Sequence, residues 1–245
     1  MHANCLHDLG SLYDDQDNDA AAYEYYGREL AMLRRLYPQD EYPRGHDNIT
    51  YALAALGYTA ESLMRYDDAQ QHHEACLDML RELLPADEHP QGHVRIASQL
   101  RSLGWLMSTQ ARYEEARAYH EDSLAMLRKL YPPEDYPDGH EELVMNLDSV
   151  GHVHMRLRLF ETAHQYMQEA LDMRRSMFPE TEYPRGHEEI ALALQNIGFL
   201  WDAQGRRDEA RNYLQQALAM NEKLYPVDDY AEGHEDIADV LWYLG

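Results

Sequence analysis

Cysteine is nearly missing from this chain: Cys5 and Cys76 are the only two in 245 residues. They form no CxxC and fall at unrelated places in the pattern described below, which excludes a disulfide framework or thiolate zinc site and points to a reducing, cytoplasmic setting. Positive charge is scarce too, with 21 basic against 45 acidic residues and a net charge of −24. A phosphate backbone or an anionic membrane surface would be repelled, so neither nucleic acid nor membrane is expected as a partner. No run of 18 apolar residues occurs, and no basic segment leads into an apolar stretch at the N-terminus, so neither a membrane span nor a secretory leader is expected. The sequence also lacks GxSxG, a glycine-rich phosphate loop, HExxH and the EF-hand loop. No catalytic centre, cofactor or metal is therefore expected.

What is present is a repeat. YPPEDYPDGHEE, from Tyr131, has four relatives: YPQDEYPRGHDN from Tyr37, LPADEHPQGHVR from Leu84, FPETEYPRGHEE from Phe178 and YPVDDYAEGHED from Tyr225. Their histidines, His46, His93, His140, His187 and His234, are each 47 residues apart. A period of that size signals stacked modules, and the whole chain, residues 1–245, reads as one array without a linker. Gly10, Gly57, Gly104, Gly151, Gly198 and Gly245 keep the same spacing.

Around each glycine, apolar residues recur at helical intervals, as in Ile96, Leu100, Leu103 and Met107, which defines helix A. A glycine inside a helix costs about 1 kcal/mol against alanine, so its recurrence marks a place where a neighbouring backbone or ring leaves no room for a Cβ. After a short polar turn comes helix B, with columns Ala22, Ala69, Ala116, Ala163, Ala210 and Tyr25, His72, Tyr119, Tyr166, Tyr213. It stops at Pro38, Pro85, Pro132, Pro179 and Pro226, because proline lacks an N–H and forces its predecessor out of the α region. YPRG at Tyr42 suits a type I turn, and the acids after each histidine complement the start of the next helix A. Ala231 replaces proline in the fifth copy, where a looser turn is expected. The pairs expected are about 3–37, 46–84, 93–131, 140–178 and 187–225, with an unpaired helix at about 234–245: an all-α array of about eleven helices. That last helix carries Leu241, Trp242 and Leu244 with no following helix B, so either a longer array or self-association through open ends is expected.

The pattern L-x-x-I-G-x-x-W-x-x-x-G followed by A-x-x-Y-x-x-x-A-L, at Leu194 to Leu218, resembles the tetratricopeptide repeat. The small residue of helix A, the aromatic or apolar residue three places on and the small residues Ala210 and Ala217 all match. The usual repeat has 34 residues; the longer form here is similar to kinesin light chains and related bacterial arrays. Glu29, Cys76 and Ser123 depart from the second small position of helix B. The resemblance implies a right-handed superhelical solenoid of antiparallel helix pairs, an inner wall of A helices, and a protein or peptide ligand.

If so, the stripe of helix A facing away from helix B lines the groove: Tyr51, Ala54, Tyr58 and Glu61; Ser98, Arg101, Trp105 and Ser108; Met145, Asp148, His152 and Met155; Leu192, Gln195, Phe199 and Asp202. Aromatics and arginine favour hot spots. Trp105, Tyr58, His152 and Phe199 are the expected anchors, with Arg101 for an acidic group and Asp148 for a basic one. The competing reading is that the third position of each set packs on the next repeat and the rest is solvated surface. The five connector histidines lie one repeat apart, on the order of 20 Å, too far for a shared ion, and are assigned to hydrogen bonding at the start of helix A. Neither His72/His73 nor His152/His154 has the i, i+4 spacing of a metal pair. The acidic connector pairs (Asp40 and Glu41, Asp87 and Glu88, Glu134 and Asp135, Asp228 and Asp229) read as solvating charge. The function expected is a non-catalytic interaction scaffold, with a regulatory arm of a larger signalling ATPase or protease, or a homotypic assembly, as alternatives.

Overall fold

The computed structural model describes residues 2–226, 228, 230 and 234–244. Among these there are eleven helices and no strand, as the period predicts. The A helices are α1 (His2–Asp14), α3 (Asp47–Ser62), α5 (Val94–Thr109), α7 (Glu141–Arg156), α9 (Glu188–Ala203) and α11 (Glu235–Leu244). The B helices are α2 (Asp19–Leu36), α4 (Tyr66–Leu83), α6 (Tyr113–Leu130), α8 (Phe160–Met177) and α10 (Arg207–Leu224). The chain divides after Leu130 into two compact units. In the first, each helix from α1 to α6 packs on the next; in the second, the same holds from α7 to α11. The expectations attached to Asp229, Ala231 and Gly245 lie outside the described residues.

Leucines on both faces of the A helices are sealed off: Leu53, Leu56, Leu103 and Leu106 in the first unit and Leu147, Leu194 and Leu200 in the second are essentially inaccessible. Each such side chain contributes about 1.5–3 kcal/mol through burial. The helix A glycine is what lets helix B come close. A Cβ on Gly57 or Gly104 would lie 2.5 or 2.6 Å from the ring of His73 or His120, and one on Gly10 would meet Tyr26 at 2.5 Å. In the second unit a flexible chain fills this place: Met167 under Gly151 and Leu214 under Gly198. The column under the glycine is thus Tyr26, His73, His120, Met167 and Leu214, one residue beyond the ring column singled out in the sequence. The departures from small residues on helix B have partners: Cys76 Sγ and Ser123 Oγ donate to the carbonyls of Thr50 and Ala97, at 3.3 and 2.7 Å, and Glu29 meets His7 Nδ1 at 3.1 Å. Burial pushes the Cys76 thiol up to about 12, which makes it a packing group, not a nucleophile.

Each A-to-B turn closes on a left-handed residue, Asp17, Met64, Ala111, Arg158 or Gly205, with φ between 55° and 83°. The Arg65 N–H then reaches back to the Ala60 carbonyl at 2.8 Å, and Asn18, Arg112, Leu159 and Arg206 do the same in their turns at 2.9 Å, the six-to-one bond of a Schellman end. The connectors are aromatic latches. Tyr37 ends α2 and stacks flat on His46, 3.5 Å between ring centroids, while Tyr42 meets His46 edge-on at 5.6 Å. The same trio recurs as Tyr131, Tyr136 and His140, as Phe178, Tyr183 and His187, and as Tyr225, Tyr230 and His234. At Leu84 the flat ring is replaced, leaving His89 edge-on to His93. Every latch histidine has extended backbone or opens its helix with a side-chain cap: Nδ1 accepts the N–H of Asn48, Arg95, Glu142, Glu189 or Asp236 at 3.1–3.3 Å. One ring therefore ends the stack on helix B and caps helix A.

Candidate functional site

The A-helix stripe is assembled within each unit. In the first, Tyr51, Tyr58 and Trp105 are 56, 52 and 49 % exposed, large aromatic surfaces that the core does not absorb. Each is nevertheless oriented by a neighbour. Arg95, from α5, lies over the Tyr51 ring at 4.8 Å and also donates to Asp47 and Thr50 of α3. The Tyr58 hydroxyl pairs with Ser102 Oγ at 2.6 Å, and the Trp105 ring stands edge-on to His120 at 6.1 Å. Ala54, Ser98, Arg101 and Ser108 are partly covered.

Glu61, assigned to ligand contact, is engaged inside the fold. Its Oε1 accepts from Nε2 of the buried His73 at 2.8 Å, and Nδ1 of that imidazole accepts from the Gln99 amide at 2.6 Å. This line of bonds joins α3, α4 and α5. Burial makes such a satisfied network rigid. A histidine–carboxylate pair can serve as a general base, but here the imidazole has both nitrogens occupied by protein and is closed to solvent.

In the second unit Met145 and Leu192 are exposed, while His152, Met155, Gln195 and Phe199 are partly buried and Asp202 is exposed. Asp148, expected to meet a basic ligand, is taken by Arg174 of α8, whose NH1 reaches Oδ1 at 3.2 Å while NH2 bonds the second carboxylate oxygen. Arg174 is itself buried and extends a third bond to Glu189 at 3.3 Å. Phe199 packs on Tyr243 of α11, 4.2 Å between ring centroids, and Met155 joins the core cluster. Burial draws the His152 imidazole below its ordinary value of 6.5 against the opposing pull of Asp148. At Tyr58 and Phe199 the third position of the stripe contacts the following A helix.

Arg95, Arg174, His73 and Gln99 lie outside the stripe assigned to the ligand from the sequence. A usable signal existed for Arg174: its column reads Leu33, Leu80, Leu127, Arg174, Asn221, so a cation replaces a core leucine. Among the described residues no group of three or more His, Cys, Asp or Glu is placed to hold a metal ion, and no helix is long and apolar enough to cross a membrane.

The tetratricopeptide-repeat family model matches residues 96–138 and 190–234. Among solved structures, a kinesin light chain candidate from Podosopora anserina with nearly identical TPR-like repeats superposes with a TM-score of 0.74 at 13% identity, covering 92% of this chain and 97% of that one. BtubC (BKLC) from P. vanneervenii gives 0.70 at 17% identity over 89% of this chain and 79% of its own. The Rap conjugation gene regulator of plasmid pLS20, solved with the Phr* peptide, gives 0.55 at 14% identity over 98% of this chain and 61% of its own. No curated protein matches the sequence significantly. The two matched segments are tetratricopeptide repeats by sequence, and the chain as a whole has the fold of the TPR-like arrays it is similar to.

Proposed function

We propose that this protein is a non-catalytic interaction scaffold that takes a peptide or protein segment on the exposed face of its A helices. The observation that carries the reading is the aromatic row Tyr51, Tyr58 and Trp105 on α3 and α5, each about half exposed although every neighbouring leucine is buried. Pre-oriented rings of this kind lose little conformational freedom on binding and serve as anchors. Asp148, Glu61 and Phe199 act in the scaffold. The peptide held by the Rap regulator supports the reading by analogy of fold. The test is to select peptides against the protein from a displayed library and measure their affinity for variants. Trp105→Ala and Tyr51→Ala should each weaken binding about tenfold or more, while Met64→Ala, at an exposed turn, should not. Equal binding by Trp105→Ala would overturn it.

A second reading, self-association through α11, is favoured by Leu241, Trp242 and Tyr243, which are 50, 77 and 48 % exposed on one short helix. Mass in solution should then rise with concentration and fall back to the monomer in Trp242→Ser; a constant monomer mass would remove it.

A further inference from the structure

Lysine is the rarest cation of the chain: of 21 basic residues only Lys129 and Lys223 are lysines. They stand 94 residues apart, two repeat periods, in a column that otherwise reads Arg35, Glu82 and Ser176. Each lines a cleft on the connector edge, away from the A-helix stripe. The cleft of the first unit has a volume of about 500 Å³ and that of the second about 340 Å³. Every residue lining the second has its counterpart, 94 positions earlier, in the first.

The construction is the same in both. Leu84, Ile96 and Met126 form an apolar floor in one, and Phe178, Ile190 and Met220 in the other. The floor depends on a left-handed glycine: a Cβ on Gly92 or Gly186 would lie 2.5 or 2.7 Å from Cγ of Met126 or Met220. On the rim, the lysine from one B helix faces an arginine from the preceding one, Arg81 or Arg175. These arginines make exposed pairs one turn away, to Asp78 at 3.8 Å and Asp172 at 3.3 Å, contacts that contribute little and yield readily to a better partner. Asp122 is the opposing acid in the first cleft; in the second Glu180 is outnumbered further by Arg185. Cations thus exceed acids in both clefts of a protein where acids exceed cations twofold.

We propose that each cleft is a recognition site for an acidic peptide segment in which a carboxylate adjoins an aliphatic side chain. The aliphatic group lies on the floor, and the carboxylate bridges the guanidinium, which can bind it through two parallel N–H donors, and the ammonium, which acts as a point charge. A few polar groups set over an apolar floor are the usual make-up of a ligand cleft.

The scarcity of lysine supplies the assay. Reductive ¹³C-dimethylation keeps the charge and yields one NMR signal for each lysine besides that of the α-amine. The capped peptide Glu-Leu-Asp-Leu should shift both lysine signals saturably, whereas Gln-Leu-Asn-Leu and Glu-Ser-Asp-Ser should not. Arg81→Gln should weaken the response of Lys129 alone about three- to fivefold, and Arg175→Gln that of Lys223 alone. Trp105→Ala, which tests the A-helix face, should leave both responses unchanged. No saturable shift, equal shifts with either control peptide, or loss of response in Trp105→Ala would overturn the assignment. So would lysine signals that move with protein concentration in the absence of peptide, which would make the occupant a second copy of this chain.

Discussion

Replacing Gly57 by alanine sets two effects of opposite sign against each other, and the geometry decides between them. In an open helix the change stabilises by about 1 kcal/mol through propensity. At Gly57 the new Cβ would stand 2.5, 2.6 and 2.7 Å from Cε1, Nε2 and Nδ1 of His73. The ring would have to retreat by about 1 Å to reach an ordinary contact, and both its nitrogens are pinned, to Glu61 at 2.8 Å and Gln99 at 2.6 Å. Overpacking costs about 1–3 kcal/mol and weakening two buried hydrogen bonds about 1–2 kcal/mol more, so after the propensity gain the net loss is about 1–4 kcal/mol. Gly27, in α2, is the internal control, since a Cβ there meets nothing within 4 Å; Gly27→Ala should stabilise by about 0.5–1 kcal/mol. Repeat arrays need not unfold in one step. Urea denaturation followed by circular dichroism should therefore be paired with hydrogen exchange, which should show faster exchange of the α3 and α4 amides in Gly57→Ala. A Gly57→Ala protein as stable as Gly27→Ala, with unchanged exchange, would refute the reasoning.

Ala111 holds a left-handed backbone with φ of 58° at the place where the last turn has Gly205; Ala111→Gly should raise the urea midpoint by an amount equivalent to about 0.5–1 kcal/mol, and a lower midpoint would count against the strain. Arg174→Ala should destabilise by about 2–3 kcal/mol, because Asp148 and Glu189 lose their buried partner; a loss near zero in denaturation would show that the pair contributes nothing. Burial is the leading cause that holds His72, His93, His152 and His164 below 6.5. For a histidine with a lowered folded pKa, the contribution to stability is complete above the unfolded value of about 6.5 and is lost as pH falls through the folded value. NMR titration should give midpoints below 6.5 for all four, and a midpoint at or above that for His152 would contradict its environment.

The helical class and the number of helices were legible because glycine, proline and histidine recur at one interval, and few physical arrangements repeat every 47 residues. The site was less legible. Glu61 and Asp148 sit on the stripe that helical phase assigns to the ligand face, yet their partners, His73 and Arg174, come from the following helix B, and no local spacing announces a contact between helices. The ring beneath the glycine lies one residue beyond the column singled out in the sequence, and the two neighbouring columns are alike: Tyr25 and Tyr26, His72 and His73, Tyr119 and His120. Only packing tells them apart. The paired clefts are not legible in the 47-residue period, because the two lysines recur only at every second copy.

The latch of rings at four of the connectors draws on one short contiguous segment: the ring that ends helix B, the tyrosine five residues on and the histidine that opens helix A. Such a junction carries its own instructions. Copies can be duplicated, deleted or exchanged as whole cassettes without rewriting the seam between them, so the number of repeats and the side chains displayed on each A helix are free to change independently. The latch makes the array editable in units of 47 residues, and a chimera built by swapping cassettes at the histidines would inherit intact seams.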